Sequence, residues 1–339
     1  MKLIILRKID NPQLKEAWKR MEQAKGVSPF MYYDYMRYIW HQEKCFSAYS
    51  PAVACVKEGD EFLMLLPLKW DMFKRRYKTL GDILGCGHND ALFNTRLGLE
   101  ECQQCVAFFY SHIDSHLRLS RLPEDSLLLK EKHVPLDTLK CVNMVRINFD
   151  NGVDALLKSL SRNGKESVRR AYNRMKRDGI ETELRIYRGD EISKDKAVWK
   201  MIMHIYLDRM FDKHKRGGVQ GKKNKLFKFL YDFKTTHLKH DTKSLRFLPN
   251  NLHAVLMHGN KVMAFCLCMM DHHGEWLVNP RLAINIDYGF YSPGYALLVE
   301  LMRYLEKETH CRLLDLSRGT EQYKTNLGGI VYHTYQTDC

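Results

Sequence analysis

Residues 252–286 read LHAVLMHGNKVMAFCLCMMDHHGEWLVNPRLAINI, and residues 287–296 continue as DYGFYSPGYA. Three apolar runs lie in this stretch, separated by short polar turns at residues 259–260 and 272–274. Apolar runs separated by such turns predict three antiparallel strands. The pattern then predicts a helix, a strand, a short helix and a last strand, at Tyr295–Lys307, Arg312–Leu316, Glu321–Leu327 and Val331–Thr337. This order predicts an α+β domain.

The amino-terminal half shows a similar alternation of strand-like and helix-like segments. Leu3–Arg7 is predicted to be a strand, Pro12 to lie just inside the start of a helix, and Leu99–His116 to be helical. A chain of 339 residues is long enough for two domains of about 100–200 residues each. We therefore predict two domains, residues 1–145 and 146–339, which divide between Leu136 and Asp150.

The composition is that of a folded protein with a basic surface. Apolar residues make up 45% of the chain and charged residues 28%, which excludes wholesale disorder. The 54 Lys and Arg outnumber the 40 Asp and Glu, so the net charge is +14. Such a surplus favours an acidic partner, although it also serves solubility alone.

Signals for export, membrane insertion and metal binding are weak. The apolar run Leu3–Leu6 is shorter than the roughly 7–15 residues of a signal peptide. Val262–Met270, the longest internal apolar run, falls well short of the ~20 residues that span a bilayer. Cys102 and Cys105 form a Cys-x-x-Cys pair without a second pair at zinc-finger spacing. We expect a cytoplasmic protein with no membrane insertion and no metal.

The segment 291–296 stands where a predicted strand ends and a helix begins. Pro293 suits the first helical position, Ser292 is a good N-cap, and Gly294 lets a ligand approach the backbone closely. Free N–H groups at the positive end of a helix suit a phosphate or pyrophosphate. An ordinary capped helix start is the alternative. The predicted phosphate-binding residues are Ser292, Pro293, Gly294, Tyr295 and Ala296.

A second polar segment, DLSRGTEQYK at residues 315–324, follows directly on a predicted strand. Polar residues at the ends of strands commonly line a functional site. Glu321 and Lys324 are three residues apart, so they share one face of a helix and can pair. A solvent-exposed ion pair of little consequence is the alternative.

Basic residues cluster in two places. Residues 162–177 contain seven Lys or Arg against one acid, Glu166, and further basic residues lie within 213–225. The functional interpretation is a phosphate-rich ligand or RNA, and the alternative is a solvated helix face. Because no recognisable RNA motif interleaves aromatic residues with these charges, sequence-specific reading of RNA is not expected.

The chain resembles the CelD-like acetyltransferases of bacterial polysaccharide and cellulose biosynthesis loci. The features that carry the resemblance are Ser292-Pro293-Gly294 before a helix, Asp315 in a strand, and then Gly319, Glu321 and Tyr323-Lys324. A looser similarity extends upstream to the aromatic segment 30–40, to Asn89-Asp90 and to the arginine-rich segment 167–179.

This resemblance implies an α+β fold with two tandem GNAT-like (acyl-CoA N-acyltransferase) domains, an arrangement shared with Fem-type peptidyltransferases. It implies an acyltransferase that uses acetyl-CoA or another acyl-CoA, with a sugar, nucleotide-sugar or glycan precursor as acceptor. Lys324 resembles the lysine that Fem-type enzymes use near the reacting carbonyl, which leaves Glu321 as candidate base and Tyr323 as candidate acid. The predicted substrate contacts are Asn89, Asp90, His214, Arg216, Asp315 and Arg318.

Two other functions stay open. A Fem-like enzyme would take its acyl group from aminoacyl-tRNA, and the basic segment 162–177 suits such a polyanion. A non-catalytic binding protein on a degenerate GNAT scaffold is the second. It is favoured because only Gly294 and Ala296 match the end of the usual Gln/Arg-x-x-Gly-x-Gly/Ala loop.

Overall fold

The computed structural model describes residues 1–44, 48–82, 86–113, 116–216, 245–246 and 248–338. The chain divides into two compact units. Unit 1 comprises Met1–Met144 together with Tyr332–Cys339, and unit 2 comprises Val145–Val331. The end of the chain thus groups with unit 1, whereas the sequence places it with residues 146–331. The reason is strand pairing, since Tyr335 lies opposite Leu122 of unit 1.

Unit 1 is built on a mixed sheet. Its strands are β1 (Lys2–Leu6), β2 (Tyr49–Glu58), β3 (Glu61–Asp71), β4 (Arg76–Thr79), β5 (Leu92–Phe93), β6 (Leu117–Pro123) and most of the last strand, β13 (Ile330–Asp338). Their order is β1-β2-β3-β4-β6-β13, and β5 pairs with β3. The helices are α1 (Pro12–Met21), α2 (Tyr33–Lys44), α3 (Leu99–His112) and α4 (Leu127–Lys130), with 3-10 turns at Pro29–Met31 and Leu136–Thr138.

Local sequence explains how the helices of unit 1 begin and what they bury. The side chain of Asn11 accepts a hydrogen bond from the Leu14 backbone N–H at 3.0 Å, and Pro12 occupies the first turn of α1. Helix α3 ends at His112, four residues earlier than predicted. Its buried face includes Cys102 and Cys105, which pack as small apolar residues.

The strands of unit 2 also pair in a mixed arrangement. Its strands are the end of β7 (Lys140–Asn148), β8 (Glu183–Arg188), β9 (Asn251–His258), β10 (Lys261–Met270), β11 (Trp276–Ile284) and β12 (Leu313–Arg318). Their order is β7-β12-β11-β10-β9-β8. Strands β8 to β11 pair antiparallel, and β11 pairs parallel with β12. The prediction of an α+β fold with mixed sheets flanked by helices is confirmed.

The helices of unit 2 cover this sheet. They are α5 (Val153–Ser159), α6 (Arg162–Arg177), α7 (Glu191–Lys194), α8 (Lys196–Arg216), α9 (Pro293–Glu308) and α10 (Gln322–Asn326), with a 3-10 helix at Ile286–Tyr291. Apolar residues of α9 such as Leu297, Leu301 and Leu305 are fully buried in the core of the unit. Helix α8 packs on β10 and β11.

Within the described residues, no helix is long and apolar enough to cross a membrane. No group of three or more His, Cys, Asp or Glu side chains in that part of the chain is placed to hold a metal ion.

Candidate functional site

The end of β12 forms a tight polar turn. Asp315 is 1% exposed, and its Oδ1 accepts a hydrogen bond from the backbone N–H of Ser317 at 2.6 Å. Ser317 and Gly319 have φ values of 56° and 95°, in the left-handed region. This conformation is unfavourable for a residue with a side chain such as Ser317, so the surroundings must hold the turn in place.

The side-chain ammonium group of Lys324, in α10, stabilises that turn. Its side chain is 3% exposed. Its Nζ donates to the carbonyl oxygens of Arg318 at 2.6 Å and Gly319 at 3.0 Å, and lies 3.0 Å from Oε2 of Glu321. The Ser317 carbonyl oxygen is a fourth acceptor at 3.4 Å, so the three N–H donors of the ammonium group are fully engaged within the protein. Burial lowers the pKa of Lys324, and the nearby Glu321 carboxylate opposes that effect.

The carboxylate of Glu321 lies close to Gly319 of the turn, and its side chain is 43% exposed. A Cβ atom at Gly319 would come within 2.6 Å of Oε2 of Glu321. The positive φ favours glycine at position 319, and an added side chain would also displace the carboxylate of Glu321. Because one partner is buried, Glu321 and Lys324 do not form the fully exposed ion pair that was the alternative.

Tyr323 packs against the core of unit 2. Burial raises the pKa of its hydroxyl, and the Glu321 carboxylate raises it further. The hydroxyl therefore stays protonated at neutral pH and is a hydrogen-bond donor. Arg209 of α8 acts in the opposite direction on this pKa and also lowers that of Lys324. Arg209 is a member of the cluster that sequence reasoning missed, because it is brought in by the packing of a distant helix.

The pairing between strands β11 and β12 ends next to this cluster. Strand β11 pairs with β12 from Trp276 to Val278, against Leu313 to Asp315. In the pairing of β10 with β11, Leu267 lies opposite Arg281 and Met269 opposite Val278, so Asn279 and Pro280 face Cys268 alone. This is a β-bulge, which bends the strand where pairing to β12 stops. The Asn279-Pro280 dipeptide is the local sequence signal for this interruption of the strand.

The predicted phosphate loop lies at the start of α9, after the 3-10 helix. Ser292 has φ 51° and ψ 51°, and its side chain makes no capping hydrogen bond. Ser292 occupies the N-cap position, as predicted, but its side chain does not cap the helix, because side-chain capping typically needs an extended backbone at that residue. No acidic residue stands in the first turn of α9. The start of this helix thus has neither a side-chain cap nor an acidic residue within its own first turn.

Gly294 and Tyr295 connect this loop to the rest of the site. A Cβ atom at Gly294 would lie 3.3 Å from Cγ2 of Ile284, so the glycine permits close packing of α9 on the end of β11. The hydroxyl of Tyr295 accepts a hydrogen bond from Nδ2 of Asn326 at 3.0 Å. Asn326 is the last residue of α10, so the start of α9 and the helix that carries Lys324 are tied directly together.

Helix α6 brings positive charge to the same end of α9. Nη1 of Arg174 donates to the carbonyl oxygen of Phe290 at 2.6 Å, and the guanidinium lies 4.3 Å from the centre of the Phe290 ring. Glu166 pairs with Arg169 and Arg170, and Asp178 with Arg177. Arg174 has no carboxylate partner among the residues described, so its charge is available to an anion.

Asn89 and Asp90, the predicted substrate contacts of unit 1, are held inside that unit. Oδ1 of Asp90 accepts hydrogen bonds from Oγ of Ser126 at 2.7 Å and from the Ala91 backbone N–H at 2.8 Å. Burial raises the pKa of Asp90 from 3.8 to about 7. Nδ2 of Asn89 donates to the Ser120 carbonyl oxygen at 3.2 Å.

Of the other four predicted contacts, two belong to the cluster, and the side chains of the other two are not described. Asp315 and Arg318 belong to the turn at the end of β12. His214 and Arg216 fall in the last turn of α8, and their side chains lie outside the described residues. The structure therefore brings together Asp315, Arg318, Glu321, Tyr323 and Lys324.

Comparison with known families identifies the type of domain. Residues 162–325 match the sequence model of a family described as an acetyltransferase (GNAT) domain. This segment contains the start of α9 and the whole cluster at the end of β12. The chain therefore carries a GNAT-type acyltransferase domain. No curated protein sequence matches the chain.

Solved structures of similar fold cover most of the chain at low sequence identity. A conserved protein of unknown function from Bacteroides thetaiotaomicron is 10% identical, with a TM-score of 0.52, over 88% of this chain and 90% of that one. L-PGS from Bacillus licheniformis is 12% identical, with a TM-score of 0.50, over 84% and 83%. A tandem GNAT protein from the clavulanic acid biosynthesis pathway is 10% identical, with a TM-score of 0.47, over 99% and 98%.

Proposed function

We propose that this protein is an acyl-CoA-dependent acyltransferase that acylates an amine or hydroxyl group of a sugar, nucleotide-sugar or glycan precursor. The observation that carries the proposal is the juxtaposition of two features within residues 162–325. One is the uncapped positive start of α9, and the other is the Glu321, Tyr323 and Lys324 cluster. The hydrogen bond between Tyr295 and Asn326 ties the two together.

The start of α9 suits the diphosphate of an acyl-CoA. Helix α9 has 16 residues, and neither a side-chain cap nor an acidic residue competes for its first backbone N–H groups. We assign the diphosphate to the backbone of Ser292–Ala296. The bound thioester supplies an activated acyl group, so the protein needs no nucleophile of its own.

Glu321 and Tyr323 are the proposed base and acid. Glu321 has an exposed carboxylate beside the turn, so it can accept a proton from an arriving amine or hydroxyl. The raised pKa of Tyr323 keeps a proton on its hydroxyl, which can donate a hydrogen bond to a leaving group but opposes full transfer of that proton. Both residues belong to one short segment of the chain.

The electrophilic role proposed for Lys324 requires an exchange of hydrogen-bond partners. All three donors of its Nζ already face acceptors of the protein. The carboxylate of Glu321 is the most exposed of these acceptors and the one whose charge disappears when it takes up a proton. Protonation of Glu321 therefore frees one N–H of Lys324 for a carbonyl oxygen that gains charge.

The proposed acceptor contacts lie on the turn at the end of β12. Arg318 is exposed and stands on the same turn, so it suits an acidic or polar acceptor. Asp315 contributes by holding the turn through the Ser317 N–H. The resemblance to CelD-like proteins supports a glycan-related acceptor and a cytoplasmic location.

The direct test is binding and turnover with acyl-CoA. Calorimetric titration with CoA should show saturable binding to one site per chain. An assay of acetyl-CoA with amino sugars, nucleotide sugars and short glycans should then release free CoA above the rate of hydrolysis without acceptor. Absence of CoA binding at millimolar concentration contradicts the proposal.

A second candidate function rests on α6. Arg169, Arg170 and Arg177 have exposed side chains, and Arg174 lacks a carboxylate partner among the residues described. This basic face suits the phosphates of an aminoacyl-tRNA, the donor of Fem-like enzymes. A non-catalytic binding protein would retain the α9 site but show no turnover.

A further inference from the structure

The turn between β3 and β4 in unit 1 exposes apolar side chains that the proposed chemistry does not use. It reads MFKR at residues 72–75. Phe73 is 84% exposed, more than any other large apolar side chain of the described residues, and the adjacent Met72 is 53% exposed. Isolated exposed apolar residues are common on protein surfaces, but two adjacent ones at the tip of a hairpin form a patch that a partner can cover.

Side-chain hydrogen bonds fix the conformation of this turn. The backbone N–H groups of Phe73 and Lys74 donate to Oδ1 of Asp71 at 3.1 and 3.0 Å. Asp71 itself is 3% exposed, and its Oδ2 lies 2.6 Å from Nζ of Lys78 in the opposite strand. The exposure of Phe73 is therefore a property of an anchored turn.

Positive charge lies next to the apolar side chains. Lys74 and Arg75 are exposed, and their side chains have no carboxylate partner within the described residues. The same turn borders an open cavity of about 610 Å³, lined by Lys74, Arg76, His116, Leu117 and Asp338. Asp338 supplies the one carboxylate among these lining residues, and Oδ1 of Asp338 lies 3.4 Å from Nη1 of Arg76. The described groups at this turn thus carry an excess of positive charge.

This combination suits the surface of an anionic bilayer better than the surface of another protein. A specific protein interface buries about 800 Å² on each partner, far more than two side chains offer. A second copy of this chain would bring the same cations to the contact, where like charges repel. A bilayer, in contrast, takes up apolar side chains at the level of its headgroups, and its anionic lipids attract Lys and Arg.

We propose that residues 72–75 are a docking site for an anionic phospholipid bilayer. Met72 and Phe73 enter the interfacial layer, Lys74 and Arg75 contact headgroup phosphates, and the cavity beside them receives one such phosphate. This is a contact with the membrane surface, and no segment crosses the bilayer. The inference goes beyond the proposed function, because none of these residues belongs to the start of α9 or to the cluster at the end of β12.

The test is sedimentation with vesicles of phosphatidylcholine and phosphatidylglycerol in equal parts. The protein should bind these vesicles and should not bind vesicles of phosphatidylcholine alone. Binding should weaken as salt is raised, because salt screens the charge of the lipids. Phe73→Ser should lower the partition coefficient about tenfold, since apolar area is lost from the contact.

The cations are tested by combining Lys74→Gln with Arg75→Gln. The partition coefficient of this double variant should also fall about tenfold or more, because two attractions to anionic lipid are removed. Its melting temperature, like that of Phe73→Ser, should stay within about 2 °C of the parent, since the replaced side chains are exposed.

Leu99→Ser is the matched control for Phe73→Ser. Leu99 is also an exposed apolar residue of unit 1, at 66%, but two glutamates follow it in the first turn of α3. Because these carboxylates repel anionic lipid, its replacement should leave vesicle binding within about twofold of the parent.

Lys261→Gln combined with Lys307→Gln is the control for overall charge. Both lysines are exposed, and the pair lowers the net charge by as much as the variant at Lys74 and Arg75. Its effect on vesicle binding should stay within about twofold, since neither lysine belongs to the turn.

The possible outcomes are distinct. Absence of binding to anionic vesicles by the unaltered protein overturns the proposal, and so does unchanged binding by Phe73→Ser. Equal loss in Phe73→Ser and Leu99→Ser overturns it as well, because binding would then depend on exposed apolar residues in general. Equal loss in the two double variants would assign binding to net charge alone and overturns it too.

Two further measurements address other occupants of the same turn. Release of the protein from vesicles by millimolar glycerol phosphate would assign the cavity to a small phosphate compound and overturn docking to a bilayer. A dimer in sedimentation equilibrium that Phe73→Ser dissociates, without vesicle binding, would assign the turn to a second copy. All these measurements are made without acyl-CoA, so their failure leaves the proposed function standing.

Discussion

At the scale of single residues, burial is the main cause of the pKa shifts of the site's titratable side chains. Lys324 is almost fully buried, and its ammonium holds the turn that precedes α10. Removal of the ammonium would leave the carbonyl oxygens of Arg318 and Gly319 without their donor. Lys324 therefore has a structural and a proposed chemical role, and an experiment must separate them.

Lys324→Met should lower the rate of acyl transfer by about 10²–10³, the usual effect of removing a group that stabilises a developing oxyanion. It should also lower the free energy of unfolding by about 1–3 kcal/mol for the acceptors that it leaves unpaired. Rates with acetyl-CoA and thermal melts measure the two effects separately.

Lys307→Met is the matched control for Lys324. The Lys307 side chain is 83% exposed and pairs with Glu308 on α9, so both rate and stability should stay near those of the parent. If Lys324→Met melts like the parent and keeps more than roughly a third of its rate, the chemistry takes place elsewhere.

Asp90 should make unit 1 less stable as the pH rises. Its pKa is about 7 in the folded protein against 3.8 for an ordinary Asp, so the folded state binds the proton more tightly. Stability contributed by the protonated carboxyl is fully present below pH 4 and is lost as pH rises towards 7. Asp90→Asn keeps an oxygen for Ser126 and Ala91 and removes the charge. The variant should gain stability relative to the parent between pH 4 and 7, by at most about 4 kcal/mol.

The measurement is the difference in urea unfolding between Asp90→Asn and the parent across this pH range. A difference is needed because burial also raises the pKa of Glu43 to about 7, although Lys69 pairs with it. The contribution of Glu43 is the same in both proteins and cancels. A difference that does not vary with pH would show that Asp90 is ionised throughout.

At the scale of elements, the position of α10 is set by its packing on α6. A Cβ atom at Gly164 of α6 would collide with the carbonyl oxygen of Asn326 and lie 3.3 Å from Cβ of Leu160. The first atom belongs to the backbone and cannot turn aside. Gly164 thus lets the two helices approach closely and fixes the helix that carries Tyr323 and Lys324.

Gly164→Ala should destabilise the protein by about 1–3 kcal/mol, as overpacking usually does, and should reduce activity by moving α10. Gly289→Ala is the control, because nothing lies within 4 Å of a Cβ atom built there. Thermal melts and transfer rates of both variants check the prediction. If the two alanine variants have equal melting temperatures and transfer rates, α10 can shift without loss of stability or activity, which contradicts the prediction.

At the scale of the whole molecule, the salt dependence of RNA binding distinguishes the two proposed donors. The net charge of +14 attracts any polyanion, so weak binding of tRNA alone is uninformative. The dependence on salt is informative, because each phosphate contact releases counterions.

If acyl-CoA is the donor, a gel-shift titration should detect tRNA binding that is weak and equal for tRNA and unrelated RNA. If aminoacyl-tRNA is the donor, tRNA should bind more tightly than an RNA of equal length, with a steep loss between 50 and 200 mM salt. Preference for tRNA together with absence of CoA binding would replace the proposed function by the Fem-like one.

The sequence by itself determined the fold class and the segments that form the site. Turns at residues 259–260 and 272–274, Pro293 and the polar run after β12 are local signals, because backbone preference and side-chain periodicity act over a few residues. They were sufficient to predict strands β9 to β12, helix α9 and the segment that carries Glu321, Tyr323 and Lys324.

Only the tertiary structure decided how these residues are used. Ser292 adopts a left-handed conformation and does not cap α9 with its side chain, and Lys324 donates to carbonyl oxygens of its own turn and to Glu321. Tyr335 pairs with Leu122 and thereby joins the end of the chain to unit 1. A strand partner such as Leu122 comes from a distant part of the chain, so local sequence patterns do not reveal it. Burial in the folded protein then sets the pKa values of the titratable side chains.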